Sequence, residues 1–432
     1  MNRPTPRPAS PNLREYLFGF TMHGVKLGLE NIRHILDAAG KPEECYPTIH
    51  IAGTNGKGSV AAYLDTVLRA AGYRVGRFTS PHLIDLTERF LIDGVAVADD
   101  ELDESIAFFR PIADALDPPP TFFEMCTAIA FRLFARANVD AAVIEVGMGG
   151  RLDSTNVIRP IAAAITNIAL EHTQYLGGTL GEIAYEKAGI LKPDVRTAIG
   201  ETGREALDVI KAHAREIGSP LVHINRDFTY TVAGSPWEQR LSFRGTRMAF
   251  DDVPLRLVGR HQAENAAVAA AVAEGMTEHF PQLGLRHLRE GLAEARWPCR
   301  LERVLDTPPV IIDVAHNVSG AQRLAEALDE CVTVLAVASD KDARGMIEGL
   351  APIASKLILT TFPYERSLPL DQLCAAAGAR PFETADGLEA AIAMGLEAAG
   401  PHCPLLITGS IFTAGEARRI LIEQHGAPPR RF

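Results

Sequence analysis

Apolar residues recur along the chain with two different spacings, which predict strands and helices in turn. The continuous apolar, β-branched run at 48–52 predicts a buried strand. After Ser59 the apolar side chains repeat every three to four positions, which predicts a helix that stops before Gly72. A second strand is predicted at 74–78. A strand, a helix and a strand in this order indicate a β-α-β unit of a parallel sheet.

The same spacings predict further elements up to residue 296. Helices are predicted over 13–39 with an interruption at 27–32, over 122–137, over 181–190 and over 259–275, and strands at 141–146 and 161–165. The helix at 122–137 is preceded by Thr121 and has Glu124 three positions later, the pattern of a capping box. Short alternating runs separated by Gly, Ser and Asp within 226–257 predict a small antiparallel insertion.

A second unit is predicted after the segment Trp297-Pro298-Cys299-Arg300, where the alternation starts again. Strands are expected near 301–305, 310–314, 332–338, 356–361 and 405–408. We therefore predict an α/β fold: a large N-terminal P-loop-type ATPase domain over 13–296, with a mostly parallel sheet and the antiparallel insertion, and a smaller Rossmann-like α/β domain over 297–432. Residues 1–12, rich in proline and arginine, are expected to form a disordered tail.

Composition excludes several classes of protein. The chain has 432 residues, a net charge of −11 and no long basic run, which argues against a nucleic-acid surface. No apolar run approaches the length of a membrane span, and the N-terminus lacks the apolar core of a secretory signal. Six cysteines without a Cys-x-x-Cys pair favour free thiols over disulfides or zinc. We expect a cytoplasmic, globular protein.

The segment that follows the first strand has the composition of a phosphate-binding loop. It reads Gly53-Thr54-Asn55-Gly56-Lys57-Gly58-Ser59 and leads into a predicted helix, whose N-terminus attracts anions. Lys57 can reach the outer phosphates, and Ser59 stands where a hydroxyl usually faces phosphate or Mg²⁺. The spacing departs from the usual P-loop, in which four residues separate the first glycine from the Gly-Lys pair. Here only Thr54 and Asn55 separate Gly53 from that pair. The alternative is a glycine-rich turn without a ligand.

Polar residues also follow other predicted strands. Glu145 lies in an otherwise apolar strand, where a carboxylate is costly unless it is paired or bound to a metal, and in a phosphate-handling fold this indicates Mg²⁺. A strand-end glutamate in solvent is the alternative. Further polar clusters are Ser80 with His82, Glu171 with His172, Asp313 with His316, and Asp340-Lys341-Asp342. Because ligands of α/β proteins bind at the carboxyl ends of strands, we expect the chemistry in a cleft between the two units.

Six motifs in a fixed order give the chain a family resemblance. They are Gly-Thr-Asn-Gly-Lys-Gly-Ser at 53–59, Thr-Ser-Pro-His-Leu at 79–83, Glu-Val-Gly-Met-Gly-Gly-Arg-Leu-Asp-Ser-Thr-Asn at 145–156, Glu-Lys-Ala-Gly-Ile at 186–190, His-Gln-x-x-Asn at 261–265 and Asp-x-Ala-His-Asn at 313–317. Together they resemble the folylpolyglutamate synthase/dihydrofolate synthase family of the Mur ligase superfamily, over roughly 13–415.

The resemblance implies an ATP-dependent ligase. Such an enzyme adds L-glutamate to dihydropteroate, giving dihydrofolate, and to tetrahydrofolates, through an acyl phosphate. It implies two Mg²⁺ ions, ATP as co-substrate, K⁺ as a further ion, and a monomer whose partners are dihydropteroate, folates, L-glutamate and ATP. A monofunctional member, with only one of the two activities, stays an alternative.

The resemblance also implies roles for particular residues. ATP is expected to be held by Gly53, Thr54, Asn55, Gly56, Lys57, Gly58, Ser59, Asn265, Arg300 and Asp313. The expected metal ligands are Ser80, Glu145 and His172, and the expected catalytic residues are Lys57, Lys187, which the family uses in carbamylated form, and His316. The pterin is expected at Leu27, Gly28, Leu29, Thr121, Phe122, Phe123, Glu124, Leu152, Asp153 and Ser154.

Three positions differ from the pattern of the family. Glu171 stands where aspartate is common, and Cys299 and Val314 replace glycines, which leaves the local backbone there in question. A Mur ligase of cell-wall synthesis is the nearest rival, but it has a substrate domain before the phosphate loop, and we expect the residues before Gly53 to be too few for one. A nucleotide-binding switch or ATPase module would have no use for Glu145, His172 and Lys187 as a set.

Overall fold

The computed structural model describes residues 12–24, 26–429 and 432. The predicted tail lies outside these residues except for Asn12, whose side chain caps the first helix. The strands are β1 (Thr48–Ala52), β2 (Val75–Phe78), β3 (Phe90–Ile92), β4 (Val95–Ala96), β5 (Ala141–Glu145), β6 (Ala162–Ile165), β7 (Arg196–Ile199), β8 (Leu221–His223), β9 (Thr229–Ala233), β10 (Arg240–Arg244), β11 (Ala249–Pro254), β12 (Glu302–Asp306), β13 (Pro309–Ile312), β14 (Cys331–Leu335), β15 (Ala354–Leu359), β16 (Glu383–Thr384) and β17 (Leu405–Thr408).

The helices connect these strands and cover both faces of the sheets. They are α1 (Leu13–Gly19), α2 (Glu30–Ala38), α3 (Lys57–Ala70), α4 (Asp99–Ala113), α5 (Phe122–Arg136), α6 (Thr173–Leu176), α7 (Leu180–Ala188), α8 (Arg204–Ile217), α9 (Arg260–Gly275), α10 (Leu285–Glu294), α11 (Val318–Ala327), α12 (Ala343–Leu350), α13 (Leu370–Ala377), α14 (Gly387–Ala398) and α15 (Ile411–His425). None of the helices described is long and apolar enough to cross a lipid bilayer.

The larger sheet confirms the predicted parallel architecture. Its strand order, within the described residues, is β4-β3-β2-β5-β1-β6-β7-β8, and the six strands from β2 to β8 run parallel. The antiparallel edge pair β3 and β4 was not predicted, because strands of three and two residues are too short to show an alternation. Helices α3, α9 and α10 pack on one face of the sheet and α2, α4 and α5 on the other.

The first predicted helix is shorter than its sequence pattern indicated. Helix α1 ends at Gly19 and is followed by a 3₁₀ turn over Phe20–His23, and α2 begins at Glu30. The break between α1 and α2 therefore begins before residue 27. Asn31 and Ile32, which were predicted to belong to the interruption, are buried within α2. Gly24 at φ +63° and Gly28 at φ +149° adopt conformations that L side chains rarely adopt, which explains why the helix cannot continue through this segment.

The predicted insertion is an antiparallel sheet of β9, β10 and β11, with β10 in the middle. Leu241 and Phe243 of β10 point inwards and join the core beneath α9, while their neighbours along the strand are exposed or half-buried. This alternation is the period-two pattern from which the sheet was predicted.

The C-terminal sheet has the order β12-β13-β17-β14-β15-β16, with β12 antiparallel and the other strands parallel. The five predicted strands are present, and the two-residue strand β16 was missed. This sheet has cores of its own, and Leu83 from the N-terminal part packs into one of them. Gly415 touches the same segment so closely that an added Cβ would lie 2.2 Å from the carbonyl oxygen of Leu83. The exact domain boundary between 296 and 297 stays a prediction.

Cys299 and Val314, which stand where the family pattern has glycine, adopt different backbone conformations. Cys299 adopts the left-handed conformation at φ +57°, which costs a residue with a Cβ about 1–2 kcal/mol. Its side chain is fully buried in the core of the C-terminal sheet, where it offsets this cost. Val314 is absent from the residues with positive φ among those described, so a β-branched side chain is tolerated there. The N–H of Val314 donates to the carbonyl of Cys299 at 3.0 Å, which joins the two positions.

Glu274, near the C-terminal end of α9, binds the turn between β10 and β11 of the antiparallel insertion through hydrogen bonds. Its buried carboxylate accepts hydrogen bonds from the backbone N–H groups of Thr246, Arg247 and Met248 and from the guanidinium of Arg196. Burial alone would raise the pKa of Glu274, but the hydrogen bonds from Thr246 and the neighbouring N–H groups hold it below its ordinary value. The charged form is therefore the one that the fold stabilises.

We expect Glu274→Gln to destabilise the protein by about 3 kcal/mol at neutral pH, because the amide cannot accept all these donors. A group with a lowered folded pKa stabilises the fold above its unfolded pKa and loses this effect as pH falls through the folded pKa. The difference in melting temperature between wild type and variant should therefore shrink below about pH 4.5. Glu278→Gln, on an exposed side chain, is the control. A variant as stable as this control would contradict the argument.

Candidate active site

The glycine-rich loop is fixed by the segment that follows the neighbouring strand β6. The N–H groups of Thr54 and Asn55 donate to the backbone and side-chain oxygens of Asn167 at 2.9 and 3.0 Å. The hydroxyl of Thr166 donates to the carbonyl of Asn55 at 2.6 Å. The loop ends at Gly56, which precedes α3 without a side-chain cap. The first N–H groups of this 14-residue helix therefore remain available to an anion.

Lys57 and Ser59 offer a cation and a hydroxyl at this helix terminus. The Nζ atom of Lys57 folds back over the loop and donates to the carbonyls of Gly53 and Thr54 at 2.9 and 3.1 Å. The hydroxyl of Ser59 is buried and has no hydrogen-bond partner among the residues described. A buried orphan hydroxyl beside a helix N-terminus fits a phosphate or a Mg²⁺ ion as its missing partner.

Two glycines of the loop lie against residues that are distant in sequence. Gly56, at φ +90°, approaches Asn265 of α9 so closely that an added Cβ would lie 2.3 Å from its side-chain oxygen. An added Cβ on Gly58 would lie 2.9 Å from the indole of Trp297. The side-chain amide of Asn265 donates in turn to Gln262 at 3.1 Å. The loop is therefore in contact with both α9 and the segment before β12.

The predicted metal ligands form two groups rather than one. The Glu145 carboxylate, at the end of β5, accepts a hydrogen bond from the N–H of Ser80 at 3.0 Å. Burial raises the pKa of Glu145, and Lys57 and Arg300 act against this rise. His172 lies in the second group, beside Glu171 and Lys187. The charge of Lys57 acts on both groups, which places the loop lysine at the centre of the site.

The residues of the first group suit Mg²⁺. In the described part of the chain, no three side chains of His, Cys, Asp or Glu converge into a metal site. Mg²⁺ does not need such a cage, because it binds through one or two carboxylates together with water and substrate phosphates. Glu145 and the hydroxyl of Ser80 provide hard oxygen ligands of this kind in a cleft that Gly58 of the phosphate loop also lines.

Lys187 of α7 is almost fully buried, with 1% of its surface exposed. Its Nζ atom donates to the carbonyl of Gly53 and to the carboxylate of Glu171, both at 2.9 Å. Burial lowers the pKa of Lys187 to about 8, with Glu171 opposing the change and Lys57 adding to it. Burial alone would raise the pKa of Glu171, but Lys57 and Lys187 hold it below its ordinary value.

A cavity between the two sheets brings together the other predicted nucleotide residues. Its lining includes Asn55, Gly56, Ser59, Asn265, Arg300, Asp313 and His316. Both oxygens of Asp313 accept backbone hydrogen bonds, from Leu301 at 2.8 Å and from Ala315 at 2.7 Å. Asp313 thus holds the turn after Arg300 in place, which its motif did not indicate. The Nε atom of Arg300 is buried and without a partner in the described structure.

His316 lies in the same cavity in its neutral form. Burial lowers the pKa of His316, and Arg300 and Lys341 lower it further. Its Nδ1 atom is 3.0 Å from the carbonyl of Val314. Because a carbonyl only accepts hydrogen bonds, Nδ1 must carry the proton, which leaves Nε2 as an acceptor.

A second cavity collects the predicted pterin residues. It is lined by Leu27, Gly28, Thr121, Phe122, Phe123, Glu124, Leu152, Asp153 and Ser154. Leu29 is not among the lining residues; it precedes α2 and packs against the core. Thr121 and Glu124 form the predicted capping box, with the N–H of Thr121 donating to Glu124 at 2.7 Å. Apolar rings and buried hydrogen-bonding groups together suit a flat heterocycle.

Sequence reasoning gave no role to several cations of the site, among them Arg89, Lys26 and Lys341. Arg89 lines the second cavity with its guanidinium over the ring of Phe122, at 5.2 Å from the centroid. Lys341 lies near His172 and His316, since its charge lowers the pKa of both. The signal for Lys341 was its place after a strand, within Asp340-Lys341-Asp342. Arg89 gave no such signal, because it precedes the unpredicted strand β3.

A third cavity shares lining residues with each of the other two. Ser80 and Pro81 line the second cavity and also a cleft that contains Glu145 and Arg300. Arg300 in turn lines the cavity that contains the phosphate loop. A molecule seated among the aromatic rings can therefore extend past Ser80 and Glu145 towards an anion bound at the loop.

Comparisons with known proteins agree with this geometry. The family model described as "Mur ligase middle domain" matches residues 51–273, and the one described as "Mur ligase, glutamate ligase domain" matches residues 299–411. The dihydrofolate synthase/folylpolyglutamate synthase of Bacillus subtilis is 34% identical, covering 96% of this chain and 99% of its own length. The enzyme of the same name from Mycobacterium tuberculosis is 36% identical, covering 91% and 89%.

Solved structures give the same result. The folylpolyglutamate synthase of Mycobacterium tuberculosis complexed with ADP superimposes with a TM-score of 0.89 at 35% identity, covering 97% of this chain and 99% of the other. E. coli FolC in complex with DHPP and ADP superimposes with a TM-score of 0.87 at 30% identity, covering 98% and 100%.

We expect Gly56→Ala to destabilise the protein more than Gly218→Ala. Both glycines have positive φ, at +90° and +76°, but only Gly56 meets another residue, whereas nothing lies within 4 Å of an added Cβ at Gly218. Gly218→Ala should therefore cost about 1 kcal/mol of backbone strain, and Gly56→Ala a further 1–3 kcal/mol, roughly, of overpacking. Thermal unfolding measures both. Adding Asn265→Ala should relieve part of the cost of Gly56→Ala, and no relief would contradict the contact.

Proposed function

The chain belongs to the Mur ligase family, and within it to the dihydrofolate synthase/folylpolyglutamate synthases, and from this we propose that it uses ATP to join L-glutamate to dihydropteroate and to tetrahydrofolates. The observation that carries the proposal is the row of three cavities with shared lining residues, from the aromatic cavity, past Glu145, to the phosphate loop. This row of cavities matches a substrate with a pterin at one end and a carboxylate that must meet the terminal phosphate of ATP at the other.

The first step is the activation of the substrate carboxylate. The carboxylate oxygen attacks the γ-phosphorus of ATP, the bond to the β-γ bridging oxygen breaks, and an acyl phosphate and ADP form. Charge on the transferring group has to be neutralised in advance, since there is little covalent chemistry for the protein to perform. We propose that the N–H groups at the start of α3 and the ammonium of Lys57 do this, with Arg300 acting from the C-terminal unit.

We propose that Glu145, Ser59 and Ser80 hold one Mg²⁺ ion and that His172 takes part in holding a second. The chemistry that bound Mg²⁺ supplies is neutralisation of charge on the phosphates. The buried orphan hydroxyl of Ser59 and the buried carboxylate of Glu145 support the first assignment. Asn265 and Asp313, with the phosphate loop, are proposed to bind the rest of the ATP molecule.

The second step is attack by the amine of L-glutamate on the acyl phosphate. The amine needs to lose a proton, and the free Nε2 atom of neutral His316 is an acceptor of suitable chemistry in the same cavity. The nitrogen forms the amide bond, and inorganic phosphate leaves with the pair of electrons of the C–O bond. We propose that Lys341 receives a carboxylate of the incoming glutamate, since it is the cation of the C-terminal unit that faces His316 and His172.

We also propose that the enzyme acts as a monomer in the cytoplasm. All six cysteines are free thiols in the structure, which suits a reducing compartment. Analytical ultracentrifugation across a range of protein concentrations tests the monomeric state.

The function is tested by phosphate release from MgATP and L-glutamate, with dihydropteroate or tetrahydrofolate supplied in separate reactions. Release with both substrates is expected. Release with one alone would restrict the enzyme to that activity. ATP turnover that did not depend on either pteroate substrate would instead support an ATPase module, and no release despite ATP binding would favour another Mur-type ligase.

We propose that Lys187 is carbamylated in the active enzyme. The neutral amine nitrogen attacks CO₂, a carbamate forms and the proton passes to solvent. A pKa of about 8 rather than 10.5 makes the neutral amine about 300-fold more abundant at pH 7. The resulting anion would lie beside Lys57 and His172 and could help to hold the second Mg²⁺ ion.

Lys187→Ala should therefore lower kcat at least about 100-fold, and added acetate should restore part of it by supplying the missing anion. Acetate should not restore Lys57→Ala, in which a cation rather than an anion is lost. Lys356→Ala, at a distance from the site on β15, serves as the control for general effects. Wild-type activity that was the same in bicarbonate-depleted and bicarbonate-supplemented buffer would contradict carbamylation.

A further inference from the structure

Another cavity opens at the junction of the two units, with Trp297 in its wall. Its walls come from three parts of the chain: Trp237 and Arg256 near the antiparallel insertion, residues 295–303 before and within β12, and Arg418 with Pro428 from the C-terminal region. Its volume of about 570 Å³ lies within the range of roughly 300–1,000 Å³ that is typical of small-molecule sites. None of the predicted site residues except Arg300 lines it.

The lining of this cavity is basic although the chain as a whole is acidic. Its charged residues are one glutamate, Glu302, and the arginines Arg256, Arg296, Arg300, Arg303 and Arg418. The net charge of the chain is −11. A cleft of one sign of charge raises the local concentration of ligands of the opposite sign. Such a concentration of arginine in an acidic protein indicates a site for anions.

Ion pairs within the protein do not use up this charge. Arg256 pairs with Glu294, Arg303 with Asp306 and Arg418 with Glu302. Arg296 and Arg300 form no ion pair within the described residues. Arg296 is therefore a guanidinium of the lining without a carboxylate at ion-pair distance, whereas the charge of Arg300 also acts on Glu145 and Asp313. The exposed pairs of Arg256 and Arg303 are weak enough to exchange for a ligand.

Arg418 provides the buried part of the site. Only 1% of its surface is exposed, and Glu302 accepts from its Nη2 atom at 2.8 Å. Its Nε and Nη1 atoms are buried and have no hydrogen-bond partner in the described structure. Arg418 therefore adds a buried and only partly satisfied positive charge to the wall of the cavity.

We propose that this cavity binds a small molecule with several oxyanions, either phosphates or carboxylates. Arginine binds both groups through paired N–H donors, so the shared chemistry is that of the oxyanion. The cavity and the catalytic cleft share Trp297, Pro298 and Arg300. An occupant of the cavity therefore contacts the same arginine that faces the transferring phosphoryl group, and the site is coupled to the catalytic one.

The two indoles of the chain, Trp237 and Trp297, both line the cavity and provide a direct readout. Trp237 does not line the catalytic cavities described above. In a Trp297→Phe variant the remaining indole, Trp237, reports on binding in this cavity. A second substitution, Lys57→Ala, is added so that the probes bind less well at the phosphate loop. The probes are pyrophosphate and tri-γ-glutamate, added at constant ionic strength with KCl in the reference titration.

We expect a saturable change in Trp237 fluorescence with at least one probe and not with KCl. Arg296→Ala should weaken this binding about tenfold, because an unpaired guanidinium is lost. Arg286→Ala on α10, a solvent-exposed arginine outside the cavity, is the matched control and should leave the binding unchanged. Tighter binding of pyrophosphate would identify a phosphate ligand, and tighter binding of tri-γ-glutamate a carboxylate ligand.

Three results would overturn the proposal. They are no saturable change with either probe, equal binding with and without Arg296→Ala in the same background, or an equal loss of binding on Arg296→Ala and on Arg286→Ala. Isothermal titration calorimetry of the single variant Lys57→Ala repeats the measurement with both indoles in place. It separates a lost site from a fold disturbed by Trp297→Phe.

Discussion

The phosphate loop depends on residues outside it for its shape. Gly53 and Gly56 adopt positive φ angles and have no side chain with which to hold the turn. Thr166 and Asn167, after the neighbouring strand β6, bind the loop backbone, and Asn265 of α9 closes over Gly56. The parallel pairing of β1 with β6 brings these segments to the same edge of the sheet. The geometry of the site is therefore a consequence of strand order, and the local sequence of the loop only permits it.

The same sheet edge concentrates charges that would be unfavourable if they stood alone. Glu145, Lys187 and Asp313 are all buried, and burial shifts the pKa of each towards its neutral form. Glu171 shows the opposite result, because Lys57 and Lys187 outweigh its burial. Buried groups with shifted pKa values are typical of catalytic sites. In this site burial leaves a lysine partly neutral and a histidine with a free acceptor nitrogen.

The sequence predicted most of the fold because long elements carry strong periodic signals. The parallel strands β1, β2, β5 and β6, the antiparallel insertion and the capping box at Thr121 were predicted from local patterns, whereas no bounds were predicted for the parallel strands β7 and β8. The short strands β3, β4 and β16 were missed, because two or three residues contain less than one full alternation.

Predictions at the candidate site had a different limit. A motif states which residue types occur, but not where their side chains lie in space. It therefore could not show that Leu29 packs into the core, that both oxygens of Asp313 bind backbone N–H groups, or that Arg89 lines the second cavity.

Trp297, in the segment between the two units, is in contact with the phosphate loop. Its indole lies against Gly58 of the phosphate loop on one side and over the guanidinium of Arg77, at 4.9 Å, on another. Arg77 is fully buried with Asp65 as its ion-pair partner, so this contact cannot shift without disturbing the helix that starts at the loop. The next residues along the chain are Pro298, Cys299 with its left-handed backbone, and Arg300. The segment that links the two units is thus in contact with the phosphate loop at Trp297, and three residues later Arg300 lines the cleft that contains Glu145.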